Sequence, residues 1–435
     1  QLQVKDLLYR FQSADIRAVV CTGEGVITDH VDIAAESYGR LDAKIIVKGH
    51  KAGWISFEEG LAAQPQFIRP ADDVLPGPTD PMLLYFTSGT TGMPKMVVHD
   101  YLYPLGHIPT AKYWHKVDPD GLHLTVSETG WAKSVWGKLY GQWLMEAGID
   151  VFDFERFSPQ VMLNHVADAG VTTFCAPPTI YRFLIKEDLS HYNLSSLQHC
   201  TIAGEALNPE VYEQFLRVTG LELKEGYGQT EMTLAVVTNY WMATKPGSMG
   251  RPSCAYDIVL MDEEDQQVKP GQTGEICIRI GTHKIPGLFG GYHKDPELTR
   301  SVWHDGVYHA GDQAWMDEDG YFWFVGRADD IIKSSGYRIG PFEVESVLME
   351  HPAVLECAVT GAPDTVRGQV VKATVVLAKR YSPNDGLAAE LQEYVKTHTA
   401  PYKYPRILEF VTELPKTISG KIRRAEIRQT GQAAE

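Results

Sequence analysis

Residues 82–95 read Met82-Leu83-Leu84-Tyr85-Phe86-Thr87-Ser88-Gly89-Thr90-Thr91-Gly92-Met93-Pro94-Lys95. A short apolar run passes directly into a small, polar, glycine-rich loop. The run predicts a strand that fixes where the loop begins. Gly89 and Gly92 let the backbone approach a ligand closely and turn N–H groups toward an anion. Thr87, Ser88, Thr90 and Thr91 add hydroxyl donors, and Lys95 adds a point charge suited to phosphate. The stretch is not a Walker A loop, which has Gly directly before the Lys and Ser or Thr directly after it. Here those positions hold Pro94 and Met96. A Ser/Thr/Gly surface turn is the plain alternative, but this density of donors after a strand favours phosphate binding.

Outward from this loop the chain keeps an α/β rhythm. Val4 to Phe11 reads as a helix, and Ala18–Cys21 and Lys44–Val47 read as buried strands. Strand and helix alternate again at Val171–Cys175 and Thr179–Lys186, the pattern of a parallel α/β sheet. From about 245 to 325, Gly and Pro punctuate short β-like runs: Asp257–Met261, Gly274–Ile280 and Tyr321–Val325. That is a compact β-rich subdomain. A further unit follows, with a helix from Pro341-Phe342-Glu343, strands at Ala353–Thr360 and Val370–Leu377, a helix at Leu387–Lys396 and a basic tail.

The 435 residues are room for roughly three domains. Hydrophobic residues make up 44% and charged residues 22%, the balance of a globular chain. The net charge of −16 argues against nucleic acid or an anionic membrane as partner. Six cysteines form no CxxC pair and no cluster with zinc spacing, which predicts buried thiols in a reducing compartment. No apolar run is long enough to span a membrane.

Five further segments carry chemistry. Gly204-Glu205-Ala206-Leu207 follows an apolar strand and alone is a turn. Gly226-Tyr227-Gly228-Gln229-Thr230-Glu231 offers an aromatic that can stack on a purine, a hydroxyl for phosphate and a hard carboxylate for Mg²⁺. A plain loop remains the other reading. In Tyr308-His309-Ala310-Gly311-Asp312 the Asp can accept from a vicinal diol or cap a turn. His309 and the other histidines have no ligand spacing and read as structural. Gly326-Arg327-Ala328-Asp329-Asp330 through Ser335-Gly336-Tyr337-Arg338-Ile339 lies where composition changes and reads as an interdomain link. Leu414 to Arg424, containing Ser419-Gly420-Lys421, reads on its own as a basic tail.

In order, these segments resemble the signature set of the acyl-adenylate-forming (AMP-binding) superfamily, over essentially the whole chain. Ser127-Glu128-Thr129-Gly130-Trp131-Ala132, Gly336 to Glu345 and Pro401-Tyr402-Lys403-Tyr404-Pro405 are similar to its medium-chain acyl-CoA synthetase branch. The resemblance implies an α/β fold: a large domain of α/β subdomains with a small β-rich subdomain, then a small mobile α+β C-terminal domain. The expected divisions are 1–240, 241–328 and 329–435, with the hinge at Asp329. Family members carry more of the large domain ahead of the position of Gln1, so the N-terminal part of that domain is expected to be missing.

The resemblance also implies roles. Thr87, Ser88, Gly89, Thr90, Thr91, Gly92 and Lys95 would hold phosphates. Gly204, Glu205 and Ala206 would line the adenine pocket and Tyr227 would stack on the base. Thr230 would contact the α-phosphate and Glu231 would hold Mg²⁺. Asp312 and Arg327 would bind the ribose. Gly336 would admit the pantetheine arm of coenzyme A, and Arg338 would face the adenylate or the opposing domain. Lys421 would reach the carboxylate and α-phosphate, a contact whose loss costs about 10²–10³ in rate. Arg367, Lys403 and Arg406 are candidates for the 3′-phosphate of CoA. In acetate-specific relatives a tryptophan stands where this chain has Gly228. In amino-acid-activating relatives an Asp stands where it has Ala132, after Trp131. The implied substrate is a short- to medium-chain fatty, branched or aryl acid.

The expected reaction is acyl-CoA synthesis from a carboxylic acid, ATP and CoA with Mg²⁺, with no nucleic-acid partner and no membrane span. Monomer and homodimer are both open, and the compartment is cytoplasmic, or the mitochondrial matrix in a eukaryote. The alternatives are a stand-alone adenylation domain loading a carrier-protein thiol and a non-catalytic nucleotide-binding relative.

Overall fold

The computed structural model describes residues 2–64, 66–87, 94–127, 132–154, 156–204, 207–416 and 422–432. They fall into two compact units, Gln1–Gly77 and Pro78–Glu435. In the first, three parallel strands run in the order β1 (Ala18–Thr22), β2 (Ala43–Val47) and β3 (Ile55–Ser56). The helices Val4–Ser13 and Ile27–Tyr38 form the core of this unit through Leu7, Phe11, Val31 and Ala34.

The second unit begins with the hairpin of β4 (Pro81–Thr87) and β5 (Lys95–Asp100), which brackets the phosphate-loop motif. Next comes a seven-stranded sheet. Its strands are β6 (Leu122–Thr125), β7 (Gly148–Asp150), β8 (Thr173–Ala176), β9 (His199–Ala203), β10 (Leu223–Gln229), β11 (Met232–Val237) and β12 (Arg251–Pro252). The order is β12-β11-β10-β9-β8-β6-β7, parallel from β7 through β10 and antiparallel beyond. Helices Pro159–Ala169, Pro178–Leu184 and Pro209–Thr219 connect the strands. Sequence sets their ends. Ser158 and Asn208 accept from backbone N–H groups of the first turn, proline follows each, and Gly170 and Gly220 close the helices in the left-handed region. Leu124, Met162, Phe174, Ile202, Phe215 and Leu223 fill the space between helices and sheet. Covered strands of this kind read as continuous apolar runs, hence their legibility.

An antiparallel sheet follows: β13 (Asp257–Met261), β14 (Thr273–Arg279), β15 (Trp303–His304), β16 (Val307–Met316) and β17 (Phe322–Arg327). Its order is β13-β14-β16-β15, with β17 also on β16. Ile258, Ile276, Phe289, Tyr308 and Phe322 form its core. The last sheet has β18 (Ile332–Ser334), β19 (Tyr337–Ile339), β20 (Val354–Asp364), β21 (Gly368–Leu377) and β22 (Ile407–Val411), with helices Pro341–Glu350 and Asp385–His398 packed on it.

Two readings need correction. The tail is not featureless: β22 pairs in parallel with β21, and helix Arg424–Gln432 buries Ile427 against Leu414 and Val376. Residues 226–229 are not a loop but the end of β10, which turns back into β11 after Thr230-Glu231. Among the described residues no helix is long and apolar enough to cross a membrane. Cys175, Cys200, Cys277 and Cys357 are buried as expected, whereas Cys254 is exposed and Cys21 half-buried.

Candidate active site

Thr87 and Lys95 face each other across the β4–β5 ladder, one at each mouth of the phosphate-loop motif. Ser88, Gly89, Thr90, Thr91 and Gly92 lie outside the described residues. Lys95 Nζ stands 5.4 Å from the ring centre of Tyr292. The Tyr292 hydroxyl donates to Glu231 Oε1 at 2.9 Å. Glu231 is only 9% exposed. Burial raises its pKa, and the Tyr292 hydrogen bond offsets part of the rise. A buried hard-oxygen donor beside a lysine suits a divalent cation that bridges to phosphate, so this residue fits Mg²⁺. Next to it, His99 Nε2 donates to the Thr230 carbonyl at 2.7 Å. His99 is buried, which pushes its pKa down to about 4 and keeps the ring neutral. It fixes the turn that presents both Thr230 and Glu231.

The other end of the segment is tied to β16. Asp312 is 6% exposed. Its Oδ2 accepts from the Tyr227 hydroxyl at 2.6 Å and from Gln229 Nε2 at 2.7 Å. The Gln229 amide also donates to the Ala310 carbonyl, and its own oxygen accepts from the Tyr308 hydroxyl at 2.8 Å. Arg327 Nη1 stands 3.9 Å from Asp312 Oδ1, and Arg327 Nε donates to Asp329 at 3.2 Å. Lys95, Tyr292 and Glu231 thus form one group of contacts, and Tyr227, Gln229, Asp312, Arg327 and Asp329 a second, joined through the backbone of residues 227–231.

Gly204 is in the left-handed region at φ +110°, a conformation that suits glycine. Glu205 and Ala206 lie outside the described residues, as does Trp131. Beneath this segment Leu207 N–H donates to Glu225 Oε1 at 3.3 Å. Glu225 is a buried carboxyl whose pKa is pushed up to about 8 by burial. Ala132 is buried in a small apolar cluster with Trp114, Ala203 and Leu234. A Cβ at Gly228 would lie 3.1 Å from Leu234 Cδ2 and from the Thr233 carbonyl, so any side chain there presses on β11.

On the last sheet, Arg338 pairs with Glu263, beyond the end of β13, so it meets the opposing sheet in this structure. Ser335 and Gly336 form the two-residue turn between β18 and β19 with φ of +50° and +84°. Gly336 therefore has a local conformational reason to be glycine. Arg367 Nη1 reaches Ser335 Oγ at 3.3 Å. Lys403 is tied to Glu343 and Arg406 to the Tyr404 hydroxyl. Lys421 lies outside the described residues; its segment is closed at the base by a bridge between Lys416 and Ile422.

His99, Gln229, Tyr292 and Tyr308 were not singled out from sequence. Gln229 sits inside a quoted motif but had no assigned role. Tyr292 follows Gly290-Gly291 in a glycine-rich stretch, the one signal that could have marked it. His99 carries none, because only the fold brings it to Thr230, 131 residues away.

The sequence profile of the AMP-binding enzyme family matches residues 1–293, and that of the AMP-binding enzyme C-terminal domain matches residues 343–421. The chain is 43% identical over 434 residues to acyl-coenzyme A synthetase ACSM3, mitochondrial, of Mus musculus, covering 99% of this chain and 74% of that protein. It is 44% identical over 434 residues to acyl-coenzyme A synthetase ACSM4, mitochondrial, of Homo sapiens, covering 98% and 74%. Among solved structures it is similar to the anthranilate CoA ligase AuaEII in complex with anthranoyl-AMP, with TM-score 0.90 and 29% identity, covering 100% of this chain and 82% of that one. It is also similar to a benzoate CoA ligase from Burkholderia xenovorans LB400, with TM-score 0.83 and 29% identity, covering 98% and 82%.

Proposed function

This chain belongs to the AMP-binding enzyme family and is an acid–thiol ligase of the acyl-coenzyme A synthetase kind, and from that premise we propose which residues run its two half-reactions and on what acid. It uses ATP and CoA. In the first step a carboxylate oxygen attacks the α-phosphorus of ATP, the bond to the β-phosphate oxygen breaks, and acyl-adenylate and pyrophosphate form. Lys95 and the hydroxyls of residues 87–91 hold the β- and γ-phosphates. Thr230, on the turn fixed by His99, faces the α-phosphate. Glu231 holds Mg²⁺, which when bound offsets phosphate charge. Asp312 and Arg327 hold the ribose, Tyr227 lies against the adenine, and Lys421 spans carboxylate and α-phosphate. The contribution is positioning and electrostatics.

In the second step the CoA sulfur attacks the acyl carbon and AMP leaves. Residues 329–435 turn about Asp329 between the steps, so that Lys421 leaves and the Gly336 turn enters. Arg338 exchanges Glu263 for the adenylate side, and Arg367 is the basic residue best placed beside Gly336 to meet CoA. One catalytic pocket serving two chemistries requires such a motion.

The acid is short- to medium-chain fatty or aryl. Ala132 sits in an apolar cluster with Trp114, Ala203 and Leu234, which suits an apolar tail, and the names of the anthranilate and benzoate ligases support the aryl option. Of the two compartments expected, the mitochondrial one is favoured by the relatives' names.

The observation that carries this reading is the placement of two contact groups, Lys95 with Tyr292 and Glu231, and Tyr227 with Asp312, Arg327 and Asp329, at the two ends of the segment 227–231. The test is pyrophosphate release with acids from acetate to octanoate plus benzoate, with and without CoA. Release that peaks beyond acetate and turns over repeatedly only with CoA is expected. Equal release with every acid, or with none, would overturn it.

A further inference from the structure

On the β-rich sheet, away from Glu231, three side chains from two neighbouring strands converge. Cys277 of β14 and His309 of β16 are direct partners across the antiparallel ladder. Glu275 stands two residues before Cys277, on the same face by strand alternation. Cys277 Sγ lies 3.6 Å from His309 Nδ1. The same nitrogen lies 3.3 Å from Glu275 Oε2. All three ligand atoms are within 4.8 Å of one another.

These distances match a tetrahedral ion. With Zn–S of ~2.3 Å and Zn–N and Zn–O of ~2.0–2.1 Å, a tetrahedron has S···N and N···O edges of about 3.5 and 3.3 Å. The thiol–imidazole contact alone could be a weak hydrogen bond. The carboxylate on the same nitrogen makes the trio a donor set with one face open. Cys277 is fully buried, next to Val259, Met261 and Val307, which exclude water from the sulfur side. His309 and Glu275 are 12% and 24% exposed, which leaves an entry path on the carboxylate side. Asp265 and His304 form a second group with His309 at that rim.

We propose that Glu275, Cys277 and His309 form a binding site for a zinc-like transition-metal ion, with solvent in the fourth position, distinct from the Glu231 site. Thiolate and imidazole select such an ion over Mg²⁺. Burial holds the Cys277 thiol protonated in the absence of metal, so binding releases a proton. The other oxygen of Glu275 accepts from Gly311 N–H at 2.7 Å, one residue before Asp312. An ion on Glu275 therefore stiffens the bend that carries Asp312.

The test uses the full chain with Cys21→Ser and Cys254→Ser, which removes the two thiols that are not buried. Co²⁺ is titrated into metal-free protein, with no ATP or acid present, so the outcome does not depend on the enzymatic reading. One equivalent should raise a thiolate-to-cobalt charge-transfer band that Zn²⁺ displaces and excess Mg²⁺ does not. Cys277→Ser should abolish the band. His309→Ala and Glu275→Gln should each weaken affinity by more than roughly 100-fold, beyond what an outer-shell change causes, with circular dichroism unchanged. Exchange of the Gly311 amide should slow when Zn²⁺ is bound. Absence of the band in the parent protein, or a band of equal strength and affinity in His309→Ala and Glu275→Gln, would overturn the assignment.

Discussion

The residues proposed to face the nucleotide and the residues of the last sheet are held in opposite ways. Asp312 and Glu231 are less than a tenth exposed, and each accepts from a tyrosine hydroxyl. Arg338, Gly336 and Arg367 stand in solvent, and the described side-chain partners of the two arginines, Glu263 and Ser335, are themselves exposed. Groups fixed in a water-poor site stabilise developing charge without reorganising. Exposed ion pairs contribute little, roughly 0–1 kcal/mol, and are cheap to exchange. The first region is built to stay and the second to change partners, which suits a reaction of two steps.

The largest effect is expected where that contrast is sharpest. Lys421 belongs by sequence to the second region but is proposed to act in the first step. Lys421→Ala should lower acid-dependent pyrophosphate release by about 10²–10³. Thioester formation from supplied acyl-adenylate should stay within a few-fold. Equal losses in both assays would break the division between steps.

Next is the buried support of the first region. The folded pKa of His99, about 4, lies below the ordinary 6.5. Between those values the unfolded chain binds a proton that the folded chain excludes. The stability contributed is complete above pH 6.5 and is lost as pH falls toward 4, about 2–3 kcal/mol by pH 4.5. Denaturant melts at pH 7 and 4.5 should show His99→Gln less acid-sensitive than the parent by that amount. His199, also pushed down to about 4 by burial, titrates in both proteins and cancels. Identical pH dependence would mean that His99 is not held neutral against Thr230.

Asp312→Asn keeps the shape but removes charge and one acceptor. Its amide oxygen, placed where Oδ2 stands, still accepts from the Tyr227 hydroxyl and the Gln229 amide, but both bonds lose their charge assistance and Arg327 loses a nearby anion, at a cost of about 1–2 kcal/mol. The KM for ATP should rise with little change in kcat, because ribose binding is uniform along the reaction. A fall in kcat at constant KM would instead assign Asp312 to the transition state.

How much of this was legible follows from where each signal lives. The strands at 171–175, 257–261 and 370–377 are short runs rich in apolar residues, which is enough to read them, and the structure has them at Thr173–Ala176, Asp257–Met261 and Gly368–Leu377. The run 226–229 did not read as a strand because Gly226, Gly228 and Gln229 break the apolar pattern. β22 failed because charged neighbours mask a short run that only β21 completes. Among the proposed site residues, those of 87–95 and 226–231 were suggested by residue type, whereas Gly204–Ala206 and Lys421 were suggested only by the family resemblance. His99 and Tyr292 were suggested by neither, since each acts through contacts that only long-range pairing creates. Cys277 and His309 show the same limit: 32 residues apart they match no ligand spacing, yet the ladder makes them neighbours.

The smallest expected effect on folding tests the exposed region on its own terms. Gly336 lies at φ +84°, and a Cβ there would meet nothing within 4 Å. Gly336→Ala should therefore cost only the left-handed conformation, about 1–2 kcal/mol, with no steric penalty and no change in pyrophosphate release in a single turnover without CoA. If the turn enters the catalytic pocket in the second step, the added methyl stands against the arm of CoA, and thioester formation should fall while the first step is untouched. Chemical denaturation and the two half-reaction assays, run on the same protein, separate these effects. A variant that loses a little stability and keeps both rates would leave Gly336 with its turn alone, and the contrast between a fixed and an exchanging region would then rest on Arg338 and Lys421.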